Sequence, residues 1–462
     1  MTHLVIDGTV IHSNINPSVF RAIDDSLDLG HCDRPLLQNI RRLIYFPSLT
    51  RIISLADTRM FLGPRLKKLV LLTFGSNVEL EDLEEFLEAV KPRCPSLQEL
   101  SVYGNIKFRT RKLGRALSDL VCGLPFLQAV LLGGVALNDE VLILLASLPS
   151  LRKLRVPLPG KAALRTFRNN VSNQPFPALR DFHASVASFA DAGEFLPHIS
   201  SASSVESLSI MVSTIPPAQE LYTFLAMVEQ SGLCKTLTTV LLHVWSHDYP
   251  PPSHSLEAHT LSPLLRCPNL ENISFYICYG QQAINNSLMT EMALAWPRLR
   301  EFSILPFGDH QHCNINLEGL VHLAQHCPIL GSVSCQFDAS LPTNSTCLGS
   351  GICNESLTHL SVHRSRIADP FTVATLLFKV FPNLQLDHRW RFTEGSDWDP
   401  SDEGDPAAIE MANCWKDVDK LLEIKRRERP SGQDRRPVVR ICSISTSMIF
   451  SQHVSAASLG YD

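Results

Sequence analysis

The sequence predicts an α/β solenoid, with parallel strands on a concave face and helices on a convex one. Three observations predict it. A ten-residue phrase recurs along the chain, as CPSLQELSVY from 94, LPSLRKLRVP from 148, CPNLENISFY from 267 and WPRLREFSIL from 296. Inside the phrase apolar residues alternate, and between its copies they return at helical spacing. The leucine after Pro-x recurs about every 28 residues, and a period of that size marks stacked repeats.

The anchors are Leu49, Leu66, Leu97, Leu127, Leu151, Leu179, Val205, Leu237, Leu270, Leu299, Leu330, Leu357 and Leu384. After a first step of 17 residues the intervals are 31, 30, 24, 28, 26, 32, 33, 29, 31, 27 and 27. Eleven of the anchors, all but Leu49 and Leu384, open L-x-x-Φ-x-Φ (Val205 standing for the leucine), whose two apolar positions point the same way from a short strand. Leu100 with Val102, Leu154 with Val156 and Phe302 with Ile304 are such pairs.

Between phrases Leu80, Leu83, Leu87 and Val90 share one helix face, as do Leu317, Leu320 and Leu323. Val373, Leu376, Leu377 and Val380 form another such face. The helices stop at Cys-Pro, Leu-Pro, Trp-Pro or Phe-Pro. Proline lacks the donor a helix interior needs and pushes its predecessor out of helical geometry. Ten of the 30 prolines precede an anchor in this way. One strand and one helix cannot bury their own apolar faces, so units must stack to share a core.

Composition narrows the function. The chain of 462 residues is 45% hydrophobic and 19% charged, as a folded protein is. A net charge of −5 gives no overall attraction to nucleic acid or anionic membrane, so neither is expected as a partner. No run of 18 apolar residues exists to span a bilayer. The opening MTHLVIDGTVIHSN has no basic segment leading an apolar core, so no secretory signal is expected. Most of the 13 cysteines, such as Cys94, Cys267 and Cys327, occupy apolar-looking slots, as free thiols do in a reducing compartment. A cytoplasmic or nuclear location follows, and the Asn-x-Ser/Thr matches at Asn170, Asn285, Asn344 and Asn354 are then chance.

The repeated phrase resembles leucine-rich repeats, and units of this length with Cys-Pro look like those of fungal F-box/leucine-rich-repeat proteins. PLLQNIRRLIYFP at 35–47 and CPSLQELSV are typical phrases, and the resemblance covers roughly residues 35–390. It implies a concave face that holds a protein substrate for an SCF-type (cullin-RING) ubiquitin ligase. Two departures stand out. The repeat asparagine is present at Asn105, with its cysteine alternative at Cys278, but Val135, Pro159, Phe307 and Asp338 replace it elsewhere. No Leu-Pro-x-Glu opening of an F-box is visible, and only about 34 residues precede PLLQN. SCF subunits are therefore expected as partners only if an F-box lies upstream.

The expected organisation is an N-terminal segment or cap at 1–34 and a solenoid of 12–13 repeats at 35–390. An acidic loop at 391–410, a capping helix at 411–430 and a poorly ordered tail at 431–462 complete it. The capping helix would turn Val418, Leu421, Leu422 and Ile424 inward. The acidic loop fails the EF-hand order, because Ser401 takes the fifth position and no glycine follows.

Catalytic signatures are missing: there is no phosphate-cradling glycine loop, no nucleophile elbow and no H-E-x-x-H. No catalytic residue, cofactor or metal ligand is expected. His310, His312, Cys313, His322, His326 and Cys327 form the one tempting cluster, since His322 and His326 lie one turn apart. Cys327 is nevertheless an ordinary helix-stop residue, and Leu320 and Leu323 define a buried face.

The outward strand positions point elsewhere. Glu99, Tyr103, Lys153, Arg155, Asp181, His183, His243, Tyr276, Glu301, His359 and His363 would share the concave face. Aromatic and Arg side chains combine contact area with a polar tip, which suits a protein interface. His359 and His363, flanking Ser361, could respond to pH. The expectation is a non-catalytic protein-binding module; the alternatives are a scaffold without a ubiquitin role and, remotely, a metal-dependent enzyme at 310–327.

Overall fold

The computed structural model describes residues 3–7, 39–46, 55, 57–72, 80–104, 111–134, 137, 139–171, 174–200, 204–244, 257–277, 284–306, 314–340, 348–387 and 406–428. They form two compact units, the first running through Val186 and taking up Glu194–Val205. The second comprises Ala187–Gly193 and the chain from Glu206.

The first unit is a parallel sheet of β1 (His3–Asp7), β2 (Arg42–Phe46), β3 (Lys68–Leu72), β4 (Glu99–Tyr103), β5 (Ala129–Gly133), β6 (Lys153–Pro157) and β7 (Asp181–Val186). Each strand pairs with the next in sequence. The connections carry α1 (Leu80–Arg93), α2 (Arg111–Cys122), α3 (Asp139–Ser147), α4 (Lys161–Asn170) and, after β7, α5 (Phe189–Ser200), whose first turn belongs to the second unit.

The second unit repeats the plan with β8 (Ser207–Val212), α6 (Ala218–Gln230), β9 (Thr239–Val244), β10 (Asn272–Ile277), α7 (Asn286–Ala295), β11 (Glu301–Pro306), α8 (Leu317–His326), β12 (Ser332–Cys335), β13 (Asp338–Ala339), β14 (His359–Ser361), β15 (Arg366–Ile367), α9 (Pro370–Val380), β16 (Gln385–Asp387) and α10 (Pro406–Glu428). Its parallel sheet runs β8-β9-β10-β11-β12-β14-β16, and β13 and β15 pair separately. The chain is thus an α/β leucine-rich-repeat solenoid whose sheet does not close into a barrel.

The anchors explain why these residues make these elements. All twelve from Leu66 to Leu384 are at most 1% exposed. Burying a leucine side chain stabilises by about 1.5–3 kcal/mol, so the anchor row is a main source of cohesion. Leu49 lies outside the described residues. Strand alternation is direct in β7 and β9, where buried and half-buried residues alternate along six positions.

Proline acts twice in the repeats that carry it before the anchor. Its predecessor leaves the helix, with φ/ψ of −121/64 at Trp296, −115/78 at Cys327 and −131/73 at Phe381. Proline itself supplies the second residue of a turn closed by the anchor N–H, as in Leu97 N to Cys94 O (3.1 Å) and Leu299 N to Trp296 O (3.1 Å). The carbonyl after the anchor then accepts two N–H groups of the next repeat. Gln98 O takes Gln128 and Ala129, and Glu271 O takes Arg300 and Glu301.

Among the described residues, the one three places before an anchor fills a second buried slot. Cys94, Cys267, Trp296 and Cys327 are fully shut from solvent there, and burial pushes the Cys94 and Cys327 thiols up to about 12. Asn354 occupies the same slot. Its Nδ2 donates to Ala324 O (3.2 Å) and Cys327 O (3.0 Å), and its Oδ1 accepts from Ser356 N (3.0 Å) and Leu357 N (3.2 Å). One amide thereby ties two repeats together.

Three sequence expectations need correction, and one repeat departs from the α-helical plan. Cys234 and Cys267, in adjacent copies of the slot, are joined as a disulfide, because stacking brings their Cα atoms to 4.2 Å. The stretch before Cys267 is a 3-10 helix, Ala258–Arg266, since Pro263 inside it removes an α-helical donor. The last helix begins at Pro406, inside the stretch expected as a loop. It buries Ala408, Ala412, Trp415, Val418 and Leu422 and leaves Ile424 49% exposed, so Ile424 is off the inward stripe. Trp415 donates to Ser365 O (2.8 Å) and meets Phe337 edge-on, which fixes α10 onto its unit. Most of the N-terminal segment, residues 391–405 and the tail from 431 lie outside the described residues.

Candidate protein-recognition face

Strand residues pointing away from the helices form a second face in each unit, on which Val70, Ser101, Tyr103, Leu131 and Ser209 are buried and the others named below reach solvent in part, and register fixes their neighbours. In the first unit one row reads Lys68, Glu99, Ala129, Lys153, Asp181. Lys68 pairs with Glu99, and Lys153 Nζ lies 2.6 Å from Asp181 Oδ2. Pairs this exposed contribute at most about 1 kcal/mol, so they order the row more than they stabilise it.

The next row reads Val70, Ser101, Leu131, Arg155, His183. Tyr103 lies in the row beyond, beside Gly133. Its ring lies where a Gly133 side chain would be: a Cβ there would sit 2.6 Å from Tyr103 Cδ1. The absent side chain lets the ring reach over β5 to Arg155, whose guanidinium carbon is 5.7 Å from its centroid. Tyr103 is only 5% exposed, so its ring offers little contact area and packs against Arg155. Burial raises the Tyr103 pKa and lowers that of Arg155, the attraction between them opposing both shifts.

In the second unit the central row is Ser274, Ser303, Ser334, Ser361, Asp387, one residue per adjacent strand. All five are half-buried, so their polar tips reach the surface. His243 and Tyr276, neighbours on β9 and β10, hold ring centroids 6.0 Å apart. Glu301 and His359 are exposed, with Thr358 Oγ1 2.8 Å from His359 Nδ1.

His363 departs from expectation. It follows β14, with φ of 46° in the left-handed region. Its Nε2 lies 2.7 Å from Ser334 Oγ. Burial lowers its pKa to about 4, opposed in part by the charge of Asp387, so it is neutral at physiological pH and adds nothing to a pH-sensitive patch there. Serine, histidine and carboxylate stand near one another, but so weak a base takes a serine proton poorly at neutral pH.

His322 faces Glu318 at 3.9 Å, and no group of three His, Cys, Asp or Glu among the described residues could hold a metal ion. His310, His312 and Cys313 lie outside those residues, as do Asn105 and Cys278. Among the described residues no helix is long and apolar enough to cross a membrane.

Sequence reasoning missed the amide at Asn354 and the link between Asn286 and Asn316, where Asn286 Nδ2 donates to Asn316 Oδ1 (2.7 Å) and Asn316 N to Asn286 Oδ1 (3.0 Å). Asn286 and Asn316, at helix starts, gave no such signal, because each has its partner one repeat away.

No protein-family model and no curated protein matches this chain. Among solved structures, the yeast Rad7–Elc1 complex is similar at 16% identity and a TM-score of 0.43, over 80% of this chain and 91% of that one. The leucine-rich-repeat protein LegL7 of Legionella pneumophila is similar at 12% and 0.32, over 91% and 98%. The leucine-rich-repeat domain of APL1B is similar at 12% and 0.26, over 79% and 92%.

Proposed function

We propose that the chain is a non-catalytic module that recognises another protein on the open face of its sheet. The observation that carries this reading is the division of labour in each repeat. Anchors, slots and helix faces are buried for cohesion, while Ser274, Ser303, Ser334, Ser361 and Asp387 stand half-buried in one polar row on the other face of the sheet. Rings, carboxylates and hydroxyls there can form contacts but are not assembled around a reactive centre.

By the resemblance of its phrases to F-box/leucine-rich-repeat proteins, the bound protein would be a substrate presented to an SCF-type ubiquitin ligase. Loss of the bound protein's ubiquitination when this chain is depleted tests that finer reading; unchanged ubiquitination rejects it and leaves a plain scaffold.

The recognition itself is tested with a photo-crosslinking residue placed at Ser303 on the face, or at the exposed Glu291 on α7. Specific adducts from Ser303 and none from Glu291 are expected in extracts of the source cells. Adducts from Glu291 alone, or from neither position, overturn the proposal.

A further inference from the structure

The two open faces differ in charge. In the first unit Arg42, Lys68, Lys153 and Arg155 stand at outward positions, with Glu99 and Asp181 paired to lysines. In the second, no outward position of β8–β12, β14 or β16 holds Lys or Arg. The charged groups there are Glu301 and Asp387, on a floor that includes Ser274, Ser303, Ser334 and Ser361. Tyr276 adds a ring whose face attracts cations.

Spacing adds a second constraint. Adjacent strands lie about 4.8 Å apart, so the row from Ser274 to Asp387 advances by about that step per strand. Side chains on one face of an α-helix recur every three or four residues, a rise of about 4.5–6 Å, which matches the row. Alternate side chains of an extended strand recur about every 6.6 Å and fall out of step. Serines are also short enough to let a helix lie close.

We propose that the second unit's open face binds an α-helical segment carrying lysine or arginine, laid across the strands with its cations toward Glu301, Asp387 and Tyr276. This rests on the recognition reading above and names the chemistry of the partner.

The test is fluorescence anisotropy on the purified full chain with three labelled peptides: a lysine- and arginine-bearing helix former, its aspartate and glutamate counterpart, and the basic peptide with a central proline. The basic helix should bind, weaken with added salt, and lose at least tenfold with the proline or with Glu301→Lys plus Asp387→Asn. Glu291→Lys on α7 should change nothing. Equal binding of the acidic peptide, or no loss in the face variant, overturns the proposal. If the basic peptide does not bind while Ser303 still crosslinks a protein, the cationic-helix inference fails and the recognition reading stands. If neither occurs, both fail.

Discussion

Replacing Asn354 with alanine should destabilise the second unit more than any surface change. The side chain is 3% exposed and makes four hydrogen bonds, two to carbonyls of the preceding repeat and two from N–H groups of its own turn. At about 1 kcal/mol net for each, the loss is about 4 kcal/mol, less whatever water recovers by entering the slot. For a cooperative unit of this size that is a fall in Tm of about 10 °C. Asn383 is the control, because its amide makes one exposed bond, to Glu355 O at 2.9 Å. Asn383→Ala should cost under about 1 kcal/mol. Urea and thermal unfolding followed by circular dichroism compare the two. A loss below about 1 kcal/mol for Asn354→Ala would refute the idea that this amide couples adjacent repeats.

Trp415→Ala should cost about 3–5 kcal/mol and detach α10, seen as protease cleavage within 406–428 before the repeats are cut. His363 has a folded pKa of about 4 against 6.5 unfolded, so its contribution is complete above pH 6.5 and is lost as pH falls toward 4. The slope is worth at most about 3 kcal/mol and should flatten in His363→Gln, as unfolding titrations between pH 7 and 4 will show. Under native conditions iodoacetamide should label the exposed Cys122 and Cys353 and spare Cys94 and Cys327, whose thiols stay protonated. Non-reducing peptide mapping should recover Cys234 joined to Cys267.

What was legible in the sequence followed from period. The anchor row and the Pro-x turns depend on local spacing, so Leu97, Leu270 and Leu330 took their places with no tertiary information. The outward positions were readable because a strand has a period of two, and Lys153, Asp181 and Glu301 stand on the open face as alternation requires. What escaped depends on contacts between repeats. Tyr103 is buried because Gly133, one strand away, has no side chain to keep its ring off Arg155. His363 left the strand pattern because β14 ends at Ser361. Cys234 and Cys267 meet because each stands three residues before an anchor, a signal present in the alignment of anchors but read only as apolar filling. Gly319 belongs with these: a Cβ there would press to 2.9 Å from Asn286 Oδ1 in the neighbouring repeat.

The most direct test is to measure partner affinity and Tm on the same two variants, Glu301→Lys on the open face and Asn354→Ala in the slot. Glu301→Lys should weaken binding of the basic helix at unchanged Tm, whereas Asn354→Ala should lower Tm and leave the folded protein's affinity intact. Full affinity in Glu301→Lys would contradict the assignment of a cationic helix to this face.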